Sequence, residues 1–226
     1  YLDSAATTRV CPEAAAAAAE MMTNNFGNPS ATYRLGREAK AAVDEARAKI
    51  AKALGCKPAE VFFTAGGSEA DNWALFSGAE KMRHSGKHII SSVLEHDAIR
   101  KSLDKLEKLG YEITRLKPDE TGSITPEMVS EALRDDTILV SLMLVNNETG
   151  AVTDIRGVSD VLRESGSAAL LHTDAVQAAG HLHIDVKDMN VDMLSISGHK
   201  FHAPKGVGAL YARKGVLISN IIDGGA

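Results

Sequence analysis

Lys200 closes the run Asp192-Met193-Leu194-Ser195-Ile196-Ser197-Gly198-His199-Lys200, and Asp174 closes Leu170-Leu171-His172-Thr173-Asp174. Each run reads as a short apolar strand that stops at polar residues, and in α/β proteins such strand ends face the crevice where ligands bind. A lysine amine forms a Schiff base with a carbonyl, and an aspartate pairs with a pyridinium nitrogen. Together they are the minimum protein equipment for pyridoxal phosphate (PLP). Ser197 and His199 beside the lysine offer hydrogen bonds to a phosphate, and Gly198 lets the backbone come close. An isolated lysine among 25 Lys+Arg is ordinarily just solvated; the neighbours of Lys200 argue against that reading.

Four further groups are suited to the same ligand. Thr64-Ala65-Gly66-Gly67-Ser68-Glu69 joins a strand to a helix, so its N–H groups and the Ser68 hydroxyl could hold a phosphate at the positive helix end. An ordinary tight turn with Ser68 as N-cap explains it equally well. Glu95-His96-Asp97 follows a strand-like run, where the His96 imidazole could stack on an aromatic ring and move protons, or simply cap a helix. Asn146-Asn147-Glu148-Thr149-Gly150 ends the run 138–145 with two amides that could bind a phenolic oxygen or a carboxylate, or form a turn. Gln177, three residues past Asp174, could address the same planar ligand. Asp174 itself could instead form a buried structural salt bridge. His172, His181 and His183 raise a metal alternative, but no Cys or carboxylate cluster completes a site, so satisfied or surface histidines are expected. Five strand ends thus converge on one anionic, aromatic, carbonyl-bearing cofactor.

The elements that must position these residues alternate. Strands are expected at 61–64, 88–91, 113–116, 138–144, 169–173, 193–196 and 208–211. Helices are expected at 68–83, 97–109, 126–133 and 155–164, the pattern of a largely parallel sheet covered by helices. Earlier, 13–22 is an alanine-rich helix. The segment 37–54 is amphipathic, with Ala41, Val43, Ala46, Ile50 and Leu54 on one face. With 226 residues, 44% hydrophobic and 24% charged, the chain is ordinary globular material. A net charge of -5 disfavours nucleic-acid or anionic-membrane binding, and no apolar run is long enough to span a bilayer. Two cysteines, Cys11 and Cys56, give no disulfide framework, so a cytoplasmic setting is expected. The chain begins at Tyr1 and stops at Gly224-Gly225-Ala226, which reads as part of a longer polypeptide.

The sequence resembles the cysteine desulfurase family of PLP enzymes, in the class V aminotransferase group with the type I aminotransferase fold. The resemblance rests on Leu2-Asp3-Ser4-Ala5-Ala6-Thr7-Thr8, Phe26-Gly27-Asn28-Pro29-Ser30, Phe63-Thr64-Ala65-Gly66-Gly67-Ser68-Glu69-Ala70-Asp71-Asn72 and Glu95-His96. It continues through Val145-Asn146-Asn147-Glu148-Thr149-Gly150, His172-Thr173-Asp174-Ala175-Val176-Gln177, Ser197-Gly198-His199-Lys200 and Gly206-Val207-Gly208-Ala209-Leu210-Tyr211. It implies that Lys200 carries PLP and then acts as acid and base, that His96 stacks on the ring, and that Asp174 pairs with the ring nitrogen. It further implies Gln177 on the phenolic oxygen, Gly67, Ser68, Ser197 and His199 on the phosphate, Asn147 near the substrate carboxylate, and no metal.

The same resemblance implies a mostly parallel seven-stranded PLP domain over 13–226, incomplete at its C-terminus. Residues 1–12 would associate with a smaller domain. The implied activity converts L-cysteine to L-alanine and passes sulfur, as an enzyme persulfide, to an acceptor protein for iron-sulfur cluster or other cofactor synthesis, in a homodimer. A selenocysteine lyase, another class V aminotransferase and a non-catalytic scaffold are the alternatives. Two departures stand out. Ala31-Thr32-Tyr33 replaces the family's usual histidine after the Asn-Pro-Ser loop. The family's sulfur-accepting cysteine, substrate-binding arginine and partner-subunit threonine would all lie beyond this segment, with Ile222-Asp223-Gly224-Gly225 as the approach to the threonine loop. Cys11 and Cys56 match no acceptor motif, and Cys56 is expected to be a buried structural thiol.

Overall fold

The computed structural model describes residues 1–224, so Gly225, the last residue of the expected approach to the threonine loop, lies outside the described residues. Seven strands, β1 (Val61–Thr64), β2 (His88–Ser92), β3 (Glu112–Leu116), β4 (Thr137–Met143), β5 (Leu170–Asp174), β6 (Met193–Ser197) and β7 (Gly208–Ala212), form one sheet of order β1-β7-β6-β5-β4-β2-β3. All run in the same direction except β7, which is antiparallel to both neighbours, β1 and β6. The carboxyl ends of the other six strands therefore share one edge. From β2 the chain steps outward to β3, and from β4 it steps the opposite way to β5, so the connections part between two adjacent strands. That divergence opens a crevice at their carboxyl ends.

The described residues form six helices, α1 (Pro12–Thr23), α2 (Arg34–Ala53), α3 (Gly67–Met82), α4 (Asp97–Lys108), α5 (Pro126–Ala132) and α6 (Ile155–Glu164); α2 to α6 cover the sheet, while α1 buries no residue. Successive strand residues point to opposite faces, and the two hydrophobic clusters sort accordingly. Ile89, Leu139, Met193 and Leu210 pack with Ala70, Ala74 and Leu75 of α3 and Ile99 and Leu103 of α4. Their chain neighbours Ile90, Val140, Leu194 and Tyr211 pack on the other side with Ala51 of α2, Val129 of α5 and Val158 and Leu162 of α6. Both faces of the sheet are thus covered, as expected for strands joined through helices.

Local signals account for the helix starts. The Thr125 hydroxyl accepts from Met128 N ahead of α5, and Asp154 Oδ1 accepts from Gly157 N at 2.8 Å ahead of α6, each satisfying an otherwise free helix N–H. On α2 the expected apolar face is corrected. Ala41 and Ala46 are exposed, while Gly36, Ala39 and Ala51 are buried, with Val43 and Ile50 half-buried. Alanine is small enough to sit on either side of a helix, so its positions alone do not fix the face. No described helix is long and apolar enough to cross a membrane.

Candidate functional site

One cleft of about 490 Å³ opens at the carboxyl edge of the sheet, and all nine residues expected to form the site line it: Gly67, Ser68, His96, Asn147, Asp174, Gln177, Ser197, His199 and Lys200. Asp3, Ala5, Ala6, Asp71, Met143 and Val176 complete the lining. The site is therefore assembled from the ends of β1, β2, β4, β5 and β6, plus the N-terminal segment.

Lys200 ends a single turn of 3₁₀ helix directly after β6. Its ammonium donates to the carbonyls of Ala5 and Ala6, the latter at 3.0 Å. Burial lowers its pKa, opposed by the charges of Asp174 and Asp3. The N-terminal segment is pinned beside it: Thr8 N donates to His199 O at 2.8 Å, and His202 N donates to Thr8 Oγ1 at 2.7 Å. The His199 ring contacts the Thr7 hydroxyl at 3.1 Å, and burial followed by the charges of Lys200 and Lys205 lowers its pKa.

Asp174 is the last residue of β5 and is 5% exposed. Its Oδ1 accepts from Val176 N at 2.8 Å. Burial raises its pKa, opposed by that hydrogen bond and by the charges of His96 and Lys200. An added cation inside the cleft would favour the ionised form further. Gln177 lies in the following turn, and its amide donates to Ala5 O at 2.9 Å.

The amino end of α3 has no side-chain cap. Ser68 is not the N-cap; Gly66 holds that position, so the Ser68 hydroxyl lies within the first turn and faces the cleft. Gly67 is needed for packing: a Cβ there would meet Val176 Cγ2 at 2.7 Å and Ser197 Cβ at 3.3 Å. The free N–H groups, Ser68, Ser197 and His199 make a donor-rich cradle against a positive helix end, the chemistry a phosphate requires.

His96 combines two readings of the sequence. It caps α4, its Nδ1 accepting from Ala98 N at 3.1 Å, and it lines the cleft. An accepting Nδ1 leaves the proton of the neutral ring on Nε2. The two asparagines divide their roles. The buried Asn146 gives its Nδ2 to Leu94 O and accepts at Oδ1 from Glu148 N and Thr149 N, so it shapes the turn. Only Asn147 lines the cleft.

His172 is fully buried between the hydroxyls of Ser141, at 2.9 Å, and Ser195, at 3.0 Å. Burial pushes its pKa down to about 3, so the ring is neutral. His181 and His183 are exposed. Among the described residues no three His, Cys, Asp or Glu side chains converge to hold a metal ion. Cys11 and Cys56 are free and half-buried, and neither lines the cleft. The expectation of a buried Cys56 is corrected to that extent; even so, burial and then the Glu60 charge push its thiol up to about 11, which disfavours the nucleophilic thiolate.

Asp71 and Glu95 belong to the site's surroundings and were not singled out as chemical groups from the sequence. Asp71 occupies the inner face of α3 beside Ala70, Ala74 and Leu75, 1% exposed. A carboxylate on an otherwise apolar helix stripe is the signal that would have found it. Glu95 is 4% exposed. Its Oε1 accepts from Ser92 Oγ and from Met143 N, and burial raises its pKa to about 8.

The family model for aminotransferase class-V matches residues 1–225. The cysteine desulfurase IscS of Methanosarcina thermophila is 48% identical over 226 residues, covering all of this chain and 55% of that protein. The putative cysteine desulfurase IscS 1 of Bacillus subtilis is 46% identical, covering all of this chain and 59% of its own length. A solved NifS-like protein superimposes with a TM-score of 0.97 at 36% identity, over all of this chain and 62% of that one. A structure of SspA in complex with cysteine gives 0.95 at 39% identity, over all of this chain and 65% of that one. The chain spans little more than half the length of these curated relatives, and it belongs to the aminotransferase class-V family.

Proposed function

We propose that this chain is the cofactor-binding part of a PLP-dependent cysteine desulfurase, which converts L-cysteine to L-alanine and retains the sulfur as an enzyme persulfide. The observation that carries the reading is the meeting of Lys200, Asp174 and the uncapped amino end of α3 in one cleft. The curated relatives named as cysteine desulfurases and the cysteine-bound SspA structure support the choice of substrate.

PLP bound there supplies an electron sink conjugated to the substrate α-carbon. The residues present fit it: a lysine for its aldehyde, a buried carboxylate for its ring nitrogen, and a donor cradle on a turn that packs against Val176 and Ser197 because Gly67 has no Cβ. Lys200, its pKa lowered by burial, more readily offers a neutral amine for attachment and then for moving protons at the substrate carbons. Asp174 stays ionised against a protonated ring nitrogen and holds that proton in place. Gln177 would donate to the phenolic oxygen, and His96, fixed in tautomer by Ala98 N–H, would cover the ring and assist proton movement. Gly67, Ser68, Ser197 and His199 would hold the phosphate. Asn147 would help to orient the substrate carboxylate.

The sulfur-accepting thiol is assigned outside residues 1–226, because Cys56 ionises poorly and neither cysteine lines the cleft. Residues 13–226 form the large domain in this reading, and 1–12 would meet a smaller one while Ala5–Cys11 stay hydrogen-bonded to the cleft side of the large domain. The exposed Leu2, Met22, Phe26, Tyr33 and Ile222 provide apolar surface suited to that domain and to a homodimer partner. A cytoplasmic enzyme delivering sulfur to an acceptor protein for iron-sulfur cluster or other cofactor synthesis completes the proposal. The test is to supply the full-length protein with PLP and L-cysteine and to follow alanine and protein persulfide together. Equimolar formation of both is expected. Keto acid without persulfide would point instead to an aminotransferase.

A further inference from the structure

Beneath the cleft, the side of the sheet facing α3 carries a buried polar row. Register places Ser141 of β4, His172 of β5 and Met193 of β6 side by side, and one step further Met143, Asp174 and Ser195. Ser141, His172 and Ser195 are linked through the two ring nitrogens of His172. Asp71 lies above this row on α3. Its Oδ1 is 3.8 Å from His172 Nε2, beyond hydrogen-bond reach, and has no hydrogen-bond partner. Glu95 Oε2 is likewise buried and unpartnered. Leaving such atoms unpaired is costly, and more costly for a charged group than for a neutral one.

The groups facing Asp71 supply no cation. His172 is neutral, Ser195 is a hydroxyl, and Asp174 and Glu95 are acids. The positive charge of Lys200 acts on Asp174 instead, which also accepts the Val176 N–H. Burial and then the Asp174 charge raise the Asp71 pKa well above the ordinary range, with only the Ser195 hydroxyl opposing. Three buried carboxyls cannot all ionise in one low-dielectric space. Of Asp71 and Asp174, the proton belongs on Asp71, the one that no cation and no backbone donor supports.

We propose that Asp71 is a positioning residue for the ring-nitrogen site: it remains a neutral acid in the working protein and thereby keeps Asp174 as the ionised carboxylate beneath the cofactor. This rests on the reading that Asp174 pairs with the PLP ring nitrogen. Were Asp71 ionised, its charge would raise the basicity of Asp174 and draw the proton off the ring.

The test uses full-length protein loaded with PLP labelled with ¹⁵N in the ring. Infrared difference spectra of wild type against Asp71→Asn at neutral pH should contain a protonated-carboxyl C=O band that the variant lacks. The ring-nitrogen resonance should stay at its protonated position in Asp71→Asn, whose amide is also an uncharged donor. In Asp71→Val, which is uncharged like the neutral acid, the ring nitrogen should likewise stay protonated. Absence of the infrared band, or loss of ring-nitrogen protonation in Asp71→Asn, would overturn the proposal. Should Asp71→Val fail to bind PLP, loss of the band in Asp71→Asn with the ring still protonated supports it, and retention of the band refutes it. Asp174→Asn keeps the two readings apart: an unchanged ring-nitrogen shift there would show that Asp174 is not the ring's partner, whatever the state of Asp71.

Discussion

Gln177 and Lys200 donate to the same acceptor, the backbone carbonyl of Ala5. They follow different strands, β5 and β6, and are brought together by a segment more than 170 positions earlier in the chain. The N-terminal segment is therefore part of the cleft, holding the side chains proposed to meet the aldehyde carbon and the phenolic oxygen of PLP. A carbonyl is also an acceptor that leaves the lysine free to exchange partners, since it carries no full charge to pair with.

Asp174→Asn would fit sterically and still accept from Val176 N–H through its amide oxygen. It cannot support a protonated ring nitrogen, so alanine formation by the full-length protein should fall by about a hundredfold or more, a loss typical of removing a preorganised electrostatic partner. PLP should remain detectable by absorbance. Wild-type turnover in this variant would refute the assigned role.

Gly67→Ala introduces a Cβ where Val176 Cγ2 stands at 2.7 Å. The amino end of α3 must move off the ends of β5 and β6, at an overpacking cost of about 1–3 kcal/mol. PLP affinity should weaken about tenfold or more, because the displaced turn carries the phosphate donors. Equilibrium dialysis of PLP against the variant measures this, and an unchanged affinity would place the phosphate elsewhere.

Glu95 predicts a pH dependence of stability. Its pKa is raised from 4.5 to about 8, chiefly by burial. Below pH 4.5 the group is neutral whether the chain is folded or not. As the pH rises from there, the unfolded chain releases the proton and the folded chain holds it, so stability falls until about pH 8. Glu95→Gln keeps an oxygen for Met143 N and removes the titration. Denaturant unfolding should find the variant gaining on wild type, by on the order of a few kcal/mol, as the pH rises across that window. Parallel curves for the two proteins would contradict a buried neutral Glu95.

Residues 1–226 incubated with PLP and L-cysteine should accumulate no catalytic persulfide on Cys11 or Cys56. Neither thiol lines the cleft, and that of Cys56 is pushed up to about 11. Intact-mass analysis with alkylation of persulfides reads the outcome. Repeated turnover with sulfur on either residue would relocate the sulfur chemistry to this segment.

Much of this was legible in the sequence. The seven strands lie within one or two residues of their apolar runs, because each run is bounded by turn residues and is too short for a helix. All nine expected site residues meet, because strand ends in a parallel sheet share one edge. Less legible was the direction of β7 and its insertion between β1 and β6. The pairing of Val61–Thr64 with Gly208–Tyr211 is a contact across most of the chain, which no local pattern encodes. The role of Ser68 was ambiguous because a glycine pair serves a turn and a phosphate cradle equally well. Asp71 is hard to read because an acid in the first turns of a helix looks solvent-facing until its apolar neighbours three and four positions on, Ala74 and Leu75, are considered.

The central claim is that Lys200 carries the cofactor. Full-length protein loaded with PLP, reduced with borohydride and digested, should yield one pyridoxyl-labelled peptide with the label on Lys200, and Lys200→Ala should bind PLP without a reducible link and form no alanine. Label on Lys205 or Lys214, or reducible attachment in Lys200→Ala, would contradict the account.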